Sequence, residues 1–138
     1  MKNVLLALVL LLTVASCLPD KLKKNDPEPE LAGTYQVSRL VSTSDGIDLN
    51  LPTTVSGSSV SAVVVVTRTS DTEIGFRINQ TVNGRTSTGQ LATVTIRKAS
   101  GKDYDMLDGS TRVGYVNGTD FSLDFTDGGE RFVVTARK

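Results

Sequence analysis

From residue 33 onward, apolar and polar residues alternate with a period of two along most of this chain. Ile74, Phe76 and Ile78 alternate with Glu73, Gly75, Arg77 and Asn79. Val94 and Ile96 alternate with Thr93, Thr95 and Arg97, and Phe121, Leu123 and Phe125 with Ser122, Asp124 and Thr126. Phe132, Val134 and Ala136 alternate with Val133, Thr135 and Arg137. Successive side chains of a strand point to opposite faces, so the pattern predicts strands with one buried and one wet face. Ala62–Val66 is instead continuously apolar, which suits a strand covered on both sides or one partly facing a partner.

Turn chemistry separates these runs. Asn83-Gly84, Asp108-Gly109, Asn117-Gly118 and Asp127-Gly128-Gly129 are short hairpin signals, because Asn, Asp and Gly tolerate the positive φ that tight hairpins need. Eight strands are predicted, at 33–41, 60–69, 72–82, 85–98, 102–107, 111–116, 119–126 and 130–137. Ser42–Ser59 reads as one long irregular stretch, with room for a turn of helix near Ile47–Leu51. The fold class is all-β. Eight sequential antiparallel strands can close into an up-and-down barrel, which removes exposed edges. A two-sheet β-sandwich is the alternative, but the tight hairpins from residue 83 onward leave little room for its crossovers.

The N-terminal segment has a different pattern. Lys2 precedes an almost wholly Leu, Val and Ala run over Val4–Val14, and small residues follow at Ala15 and Ser16 before Cys17. This is the layout of a secretory signal peptide. The apolar run is short of the roughly 20 residues a spanning helix requires. Val14-Ala15-Ser16-Cys17 resembles the lipobox of bacterial lipoproteins. The resemblance implies cleavage before Cys17 and acylation of its thiol; an ordinary cleaved signal with a chance cysteine is the competing reading. Each buried acyl CH₂ adds about 0.8 kcal/mol of membrane affinity, so several chains make a durable anchor. The organisation that follows is a signal peptide at 1–16, a lipidated, disordered tether at 17–30 and one barrel domain at 31–138. Prolines at 19, 27 and 29 and a dense run of charges keep the tether extended. By the sorting rule of lipoproteins, Leu18 after the cysteine implies an outer-membrane anchor in a Gram-negative cell envelope, facing the periplasm or the cell surface.

Composition excludes more than it assigns. The 138 residues hold 15 basic and 15 acidic side chains, no histidine, no tryptophan and a single cysteine. A balanced charge argues against a nucleic-acid partner, whose phosphates demand a basic surface. One cysteine forms no internal disulfide, so the domain stands on its core. Without histidine, with the cysteine committed to lipid and with no Gly-x-Ser-x-Gly elbow or phosphate loop, the reading is non-enzymatic, with no catalytic residues, no metal and no cofactor. Asp103–Gly109 has the look of a calcium loop with one residue too many, and Asp120, Asp124, Asp127 and Glu130 gather near the last hairpin. Acidic turn residues account for both groups.

Gly33-Thr34-Tyr35 opens the first strand and Arg137 closes the last. This resembles the lipocalin pattern, in which Gly-x-Trp begins the barrel and an arginine from its far end packs over the indole; here Tyr35 replaces the Trp. The resemblance implies barrel closure at Gly33, Tyr35 and Arg137, with Arg137 stacked on Tyr35 as a cation–π pair. It also implies a small apolar or amphipathic ligand inside. Candidate ligand-binding residues are Arg39, Phe76, Ile78, Phe121 and Phe125. Strict alternation from Tyr35 turns Arg39 inward, where it could hold an anionic group; a bulge would turn Leu40 in and Arg39 out, sparing the cost of a buried charge. Phe76, Ile78, Val94, Phe121, Phe125 and Phe132 form either a filled core, the safer expectation for so small a domain, or a cavity wall. The functional expectation is a monomeric, membrane-anchored ligand-binding lipoprotein. A structural, protein-binding or glycan-binding module of the envelope is the alternative.

Cys17→Ser should abolish acylation. The variant should accumulate as precursor or soluble protein and fail to label with radioactive palmitate; continued labelling and membrane partitioning would sink the lipobox reading.

Overall fold

A computed structural model describes residues 27–138. The signal-like segment and Cys17 lie outside the described residues. The described chain is all β, with eleven strands and no helix. They are β1 (Gly33–Ser42), β2 (Ile47–Asn50), β3 (Thr53–Val55), β4 (Ser58–Ser70), β5 (Glu73–Val82), β6 (Arg85–Thr88), β7 (Ala92–Lys98), β8 (Tyr104–Asp108), β9 (Thr111–Val116), β10 (Asp120–Asp127) and β11 (Glu130–Arg137).

Eight of them close into an antiparallel up-and-down barrel. The order is β1, β4, β5, β7, β8, β9, β10 and β11, and β11 pairs again with β1. Closure depends on β1 serving two partners. Its first residues, Gly33–Gln36, pair with Val63–Val66 of β4. From Gln36 to Ser42 it pairs with Phe132–Arg137 of β11. The register shifts between Val37 and Arg39. That bulge resets the alternation: Tyr35 and Val37 are buried before it, and Leu40 and Ser42 after it.

Two stretches differ from the sequence reading. Ser42–Ser59 is mostly strand. β2 pairs with the upper half of β1, and β3 with the start of β4. Together they occupy the seam where β1 and β4 part, and Ile47 and Leu49 pack on the core. Ile47–Leu51 thus holds a strand and no helical turn, because its alternate apolar residues find a strand partner in β1. The run 85–98 is interrupted at Gly89–Leu91. Gly89 still donates its N–H to the Ile78 carbonyl at 3.0 Å, and pairing with β5 then resumes one residue out of step at Ala92–Phe76.

One end of the barrel is filled. Tyr35, Phe121, Ile74, Met106, Val66 and Val116 are fully buried there. The Tyr35 and Phe121 rings stand 6.0 Å apart, and Phe121 and Phe76 5.4 Å, as tilted pairs up the barrel axis. Gly114 lets β9 run close to β10, since a Cβ there would strike the Ser122 carbonyl oxygen and the Met106 side chain.

The same end is sealed by the chain's entry. Leu31 is 1% exposed, and its carbonyl accepts a 2.7 Å hydrogen bond from the Tyr35 hydroxyl. The Lys138 ammonium donates to the Glu30 and Ala32 carbonyls, each at 2.7 Å, and lies 5.1 Å from the centre of the Tyr35 ring. Glu28 approaches Arg68 at 3.7 Å. The last residues read as tether are therefore fastened to the barrel. The cation over Tyr35 is also a correction: Lys138 takes the place expected for Arg137. Arg137 pairs with Gln36 and Asp120 on adjacent strands, and its exposed side chain turns outward to Asp120 at 3.5 Å. Period-two alternation puts Ala136 inward and Arg137 outward, and only the residue beyond the strand can fold over the end. Gly33 admits that lysine: its φ is 135°, and a Cβ would lie 2.8 Å from Lys138 Cε.

Burial, and then the Glu30 and Asp120 carboxylates, push the Tyr35 hydroxyl up from 10.0 to about 12. A raised folded-state value means that the group's stability contribution is complete below pH 10 and is lost as pH rises through about 12. Tyr35→Phe orphans the Leu31 carbonyl and should cost about 1–2 kcal/mol at pH 8. Urea denaturation should show that deficit falling by about 2 kcal/mol, to zero or slightly below, at pH 11.5, since only the parent has a phenol to ionise at position 35. A deficit constant with pH would refute the buried phenol. In a double-mutant cycle, Tyr35→Ala should couple to Lys138→Ala by at least about 0.5 kcal/mol, while coupling to Arg137→Ala should be close to zero.

Candidate functional site

The hairpins at Asn83-Gly84, Asp108-Gly109 and Gly128-Gly129, together with residues 43–57, all lie at the end opposite Leu31, Lys138 and the entering chain. Packing thins toward this open end. Along β10 the inward residues Phe121, Leu123 and Phe125 are 0%, 4% and 36% exposed. Ile78, Val94 and Phe132 are half-buried around the core's upper edge. Phe125 and Phe132 are cross-strand partners with ring centres 5.7 Å apart.

The result is an apolar recess in the mouth. One lobe, about 340 Å³, is walled chiefly by Leu40, Phe76, Ile78, Leu123, Phe125 and Phe132. A second, about 210 Å³, shares Phe76, Leu123 and Phe125 and adds Val94, Val113 and Asp108. A third, polar lobe of about 570 Å³ runs over Asp108, Arg112, Asp124 and Asp127 with Phe125 at its edge. Against the roughly 300–1,000 Å³ of small-molecule sites, the first lobe is at the low end, the second below it and the third within it.

The structure brings together three of the residues singled out from the sequence. Phe76, Ile78 and Phe125 line the first lobe. Phe121 lies deeper, fully buried against Tyr35 and Phe76, and belongs to the filled end. Arg39 is elsewhere. The bulge turns it outside the barrel, where it is exposed and forms an ion pair with Asp48 of β2 at 3.2 Å. Leu40 takes the inward place and lines the recess, as do Leu123 and Phe132. Phe132 was visible in the alternation; Leu40 depended on the bulge, and Leu123 reads as core in any strand pattern.

The acidic residues divide by partner. Asp105 sits between two arginines of adjacent strands, at 2.6 Å from Arg112 and 3.4 Å from Arg97. The Arg112 hydrogen bond, with a smaller one from Arg97, holds its carboxyl below the ordinary value despite an opposing desolvation. Asp124 is held down in the same way by Arg131 at 2.7 Å. Asp103 accepts from the Asn117 amide at 2.9 Å, and Asp45 accepts from the Ser42 hydroxyl at 2.6 Å. Asp108 and Asp127, both on the polar lobe, form no ion pair among the described residues. No three carboxylate, cysteine or histidine side chains converge as they would around a metal, among the described residues. Comparison with family models, with curated proteins and with solved structures returns no match to this chain.

Proposed function

We propose that this chain is a lipid-anchored protein of a Gram-negative cell envelope that binds a small apolar or amphipathic molecule in the mouth of its barrel and carries out no chemistry on it. The observation that carries the reading is the one-sided packing of the barrel. Its closed end is filled by Tyr35, Phe121 and Leu31, while Phe76, Ile78, Phe125 and Phe132 wall a recess at the other end that no side chain among the described residues fills. Leaving a half-exposed aromatic pair in contact with water sacrifices stabilisation of roughly 25 cal/mol per Å² of apolar surface, which bound ligand would restore. The anchor rests on Val14-Ala15-Ser16-Cys17. The geometry is compatible with it, because the chain enters at the closed end and leaves the mouth unobstructed by residues 27–32.

A second reading, a protein-binding module, draws on a separate observation. Val55 and Val82, each 41% exposed, lie at the open end, and Leu91, 60% exposed, lies over Gly75 on the outer wall, all outside the recess. Scattered exposed apolar side chains are normal on a protein surface, so the recess has the greater weight.

Titration with the neutral dye N-phenyl-1-naphthylamine tests the first reading. Dye fluorescence should rise saturably with one site per chain. Phe125→Asp should weaken binding at least about tenfold by putting charge on the recess wall, with little loss of fold stability because the residue is already partly exposed. No saturable binding, or equal binding by the variant, would rule out a site in the mouth.

A further inference from the structure

The rim of the recess is chemically lopsided, and we infer that its ligand carries a positive charge: the mouth is built for a cationic amphiphile, an apolar body with an ammonium head. The inference deepens the small-ligand reading and rests on it. Phe76, Val94, Val113, Leu123 and Phe125 supply apolar wall to the 210 Å³ lobe, and the one ionisable side chain lining that lobe is Asp108. Asp127 lines the adjoining lobe together with Asp108 and Phe125.

The arginines near these carboxylates are already engaged. Arg112 is bound to Asp105 at 2.6 Å and Arg131 to Asp124 at 2.7 Å. Arg131 is matched by Asp124, while Arg112 shares Asp105 with Arg97, a triad with one positive charge in excess. Asp108, Asp127 and Glu130 make no ion pair among the described residues, so carboxylates still outnumber that excess on this side of the mouth. The part-exposed Phe125 ring lines the same lobe as Asp108 and Asp127, and an aromatic face attracts a cation for the same electrostatic reason that it repels an anion. A ligand whose tail lies against Phe76 and Leu123 would therefore meet two carboxylates and a ring face where its tail ends. An ammonium head gains from all three, a neutral hydroxyl gains little, and a carboxylate head is repelled. Arg77, the one cation bordering the 340 Å³ lobe, does not reverse this, since the alternation of β5 buries Phe76 and leaves Arg77 exposed on the outer face.

Displacement of N-phenyl-1-naphthylamine by three probes with the same eight-carbon chain separates head from tail. Octylammonium should displace the dye at about threefold to tenfold lower concentration than octanol, and octanoate should be the weakest. The advantage of octylammonium should shrink in 1 M sodium chloride. It should vanish in the doubly substituted Asp108→Asn, Asp127→Asn variant, where octylammonium and octanol should displace the dye at the same concentration. Asn suits both positions, each of which precedes a positive-φ glycine in a hairpin. If the dye binds but the three probes compete equally, or if the variant keeps the preference, the cationic ligand is refuted and the apolar site stands. If the dye does not bind, the small-ligand reading itself is lost.

Discussion

Everything in this domain depends on one strand pairing along two edges. A sheet of eight antiparallel strands has two open edges, each a row of unpaired backbone donors and acceptors. β1 removes both by pairing first with β4 and then with β11. It cannot do so as a perfectly regular strand. The bulge at Ser38 bends it from one partner to the other and moves the inward set from Tyr35 and Val37 to Leu40 and Ser42. Where β1 leaves β4, the freed edges are taken up by β2 and β3. A segment that looks irregular from its composition thus completes the wall.

Closure also produces the difference between the two ends. The entering chain and the last residue meet at one end, and there Leu31, Tyr35 and Lys138 bind each other by packing, two kinds of hydrogen bond and a cation over a ring. The phenol sits in so little solvent that its ionisation moves up to about 12. The other end receives three short, polar hairpin tips and the segment 43–57, whose Ile47, Leu49 and Leu51 pack on the core along the seam. Beside that segment the inward alternation of β5, β10 and β11 runs out toward water at Ile78, Phe125 and Phe132. The recess is what an eight-stranded barrel leaves when one end has a plug and the other does not.

The charge pattern follows the same geometry. Cross-strand pairing engages several ionised side chains on the outer wall, as in Arg39–Asp48, Arg97–Asp105–Arg112 and Asp124–Arg131. Such exposed pairs each contribute little to stability. Their consequence here is to decide which charges stay uncancelled. Asp108 and Asp127 close their strands just before a turn glycine, so they have fewer cross-strand neighbours and remain at the rim.

The strand pattern was legible because the side-chain period of a strand is local. Alternation and Asn-Gly or Asp-Gly turns marked β4, β5 and β8–β11 to within a few residues, and the sum of eight sequential hairpin-linked strands already implied a closed barrel. Tyr35 as a ring at the closure was implied by the likeness of Gly33-Thr34-Tyr35 to a lipocalin opening. What the sequence could not decide was anything set by two distant segments meeting. Arg39 or Leu40 inward turned on how β1 divides itself between β4 and β11. Arg137 or Lys138 over Tyr35 turned on which of two adjacent cations escapes the strand's alternation. The seam that orders Ile47–Val55 exists only once β1 and β4 have parted. Whether Phe76 and Phe125 are core or cavity wall depended on their height along the barrel, since identical alternation buries a side chain beneath the Leu31 plug and exposes one at an open mouth.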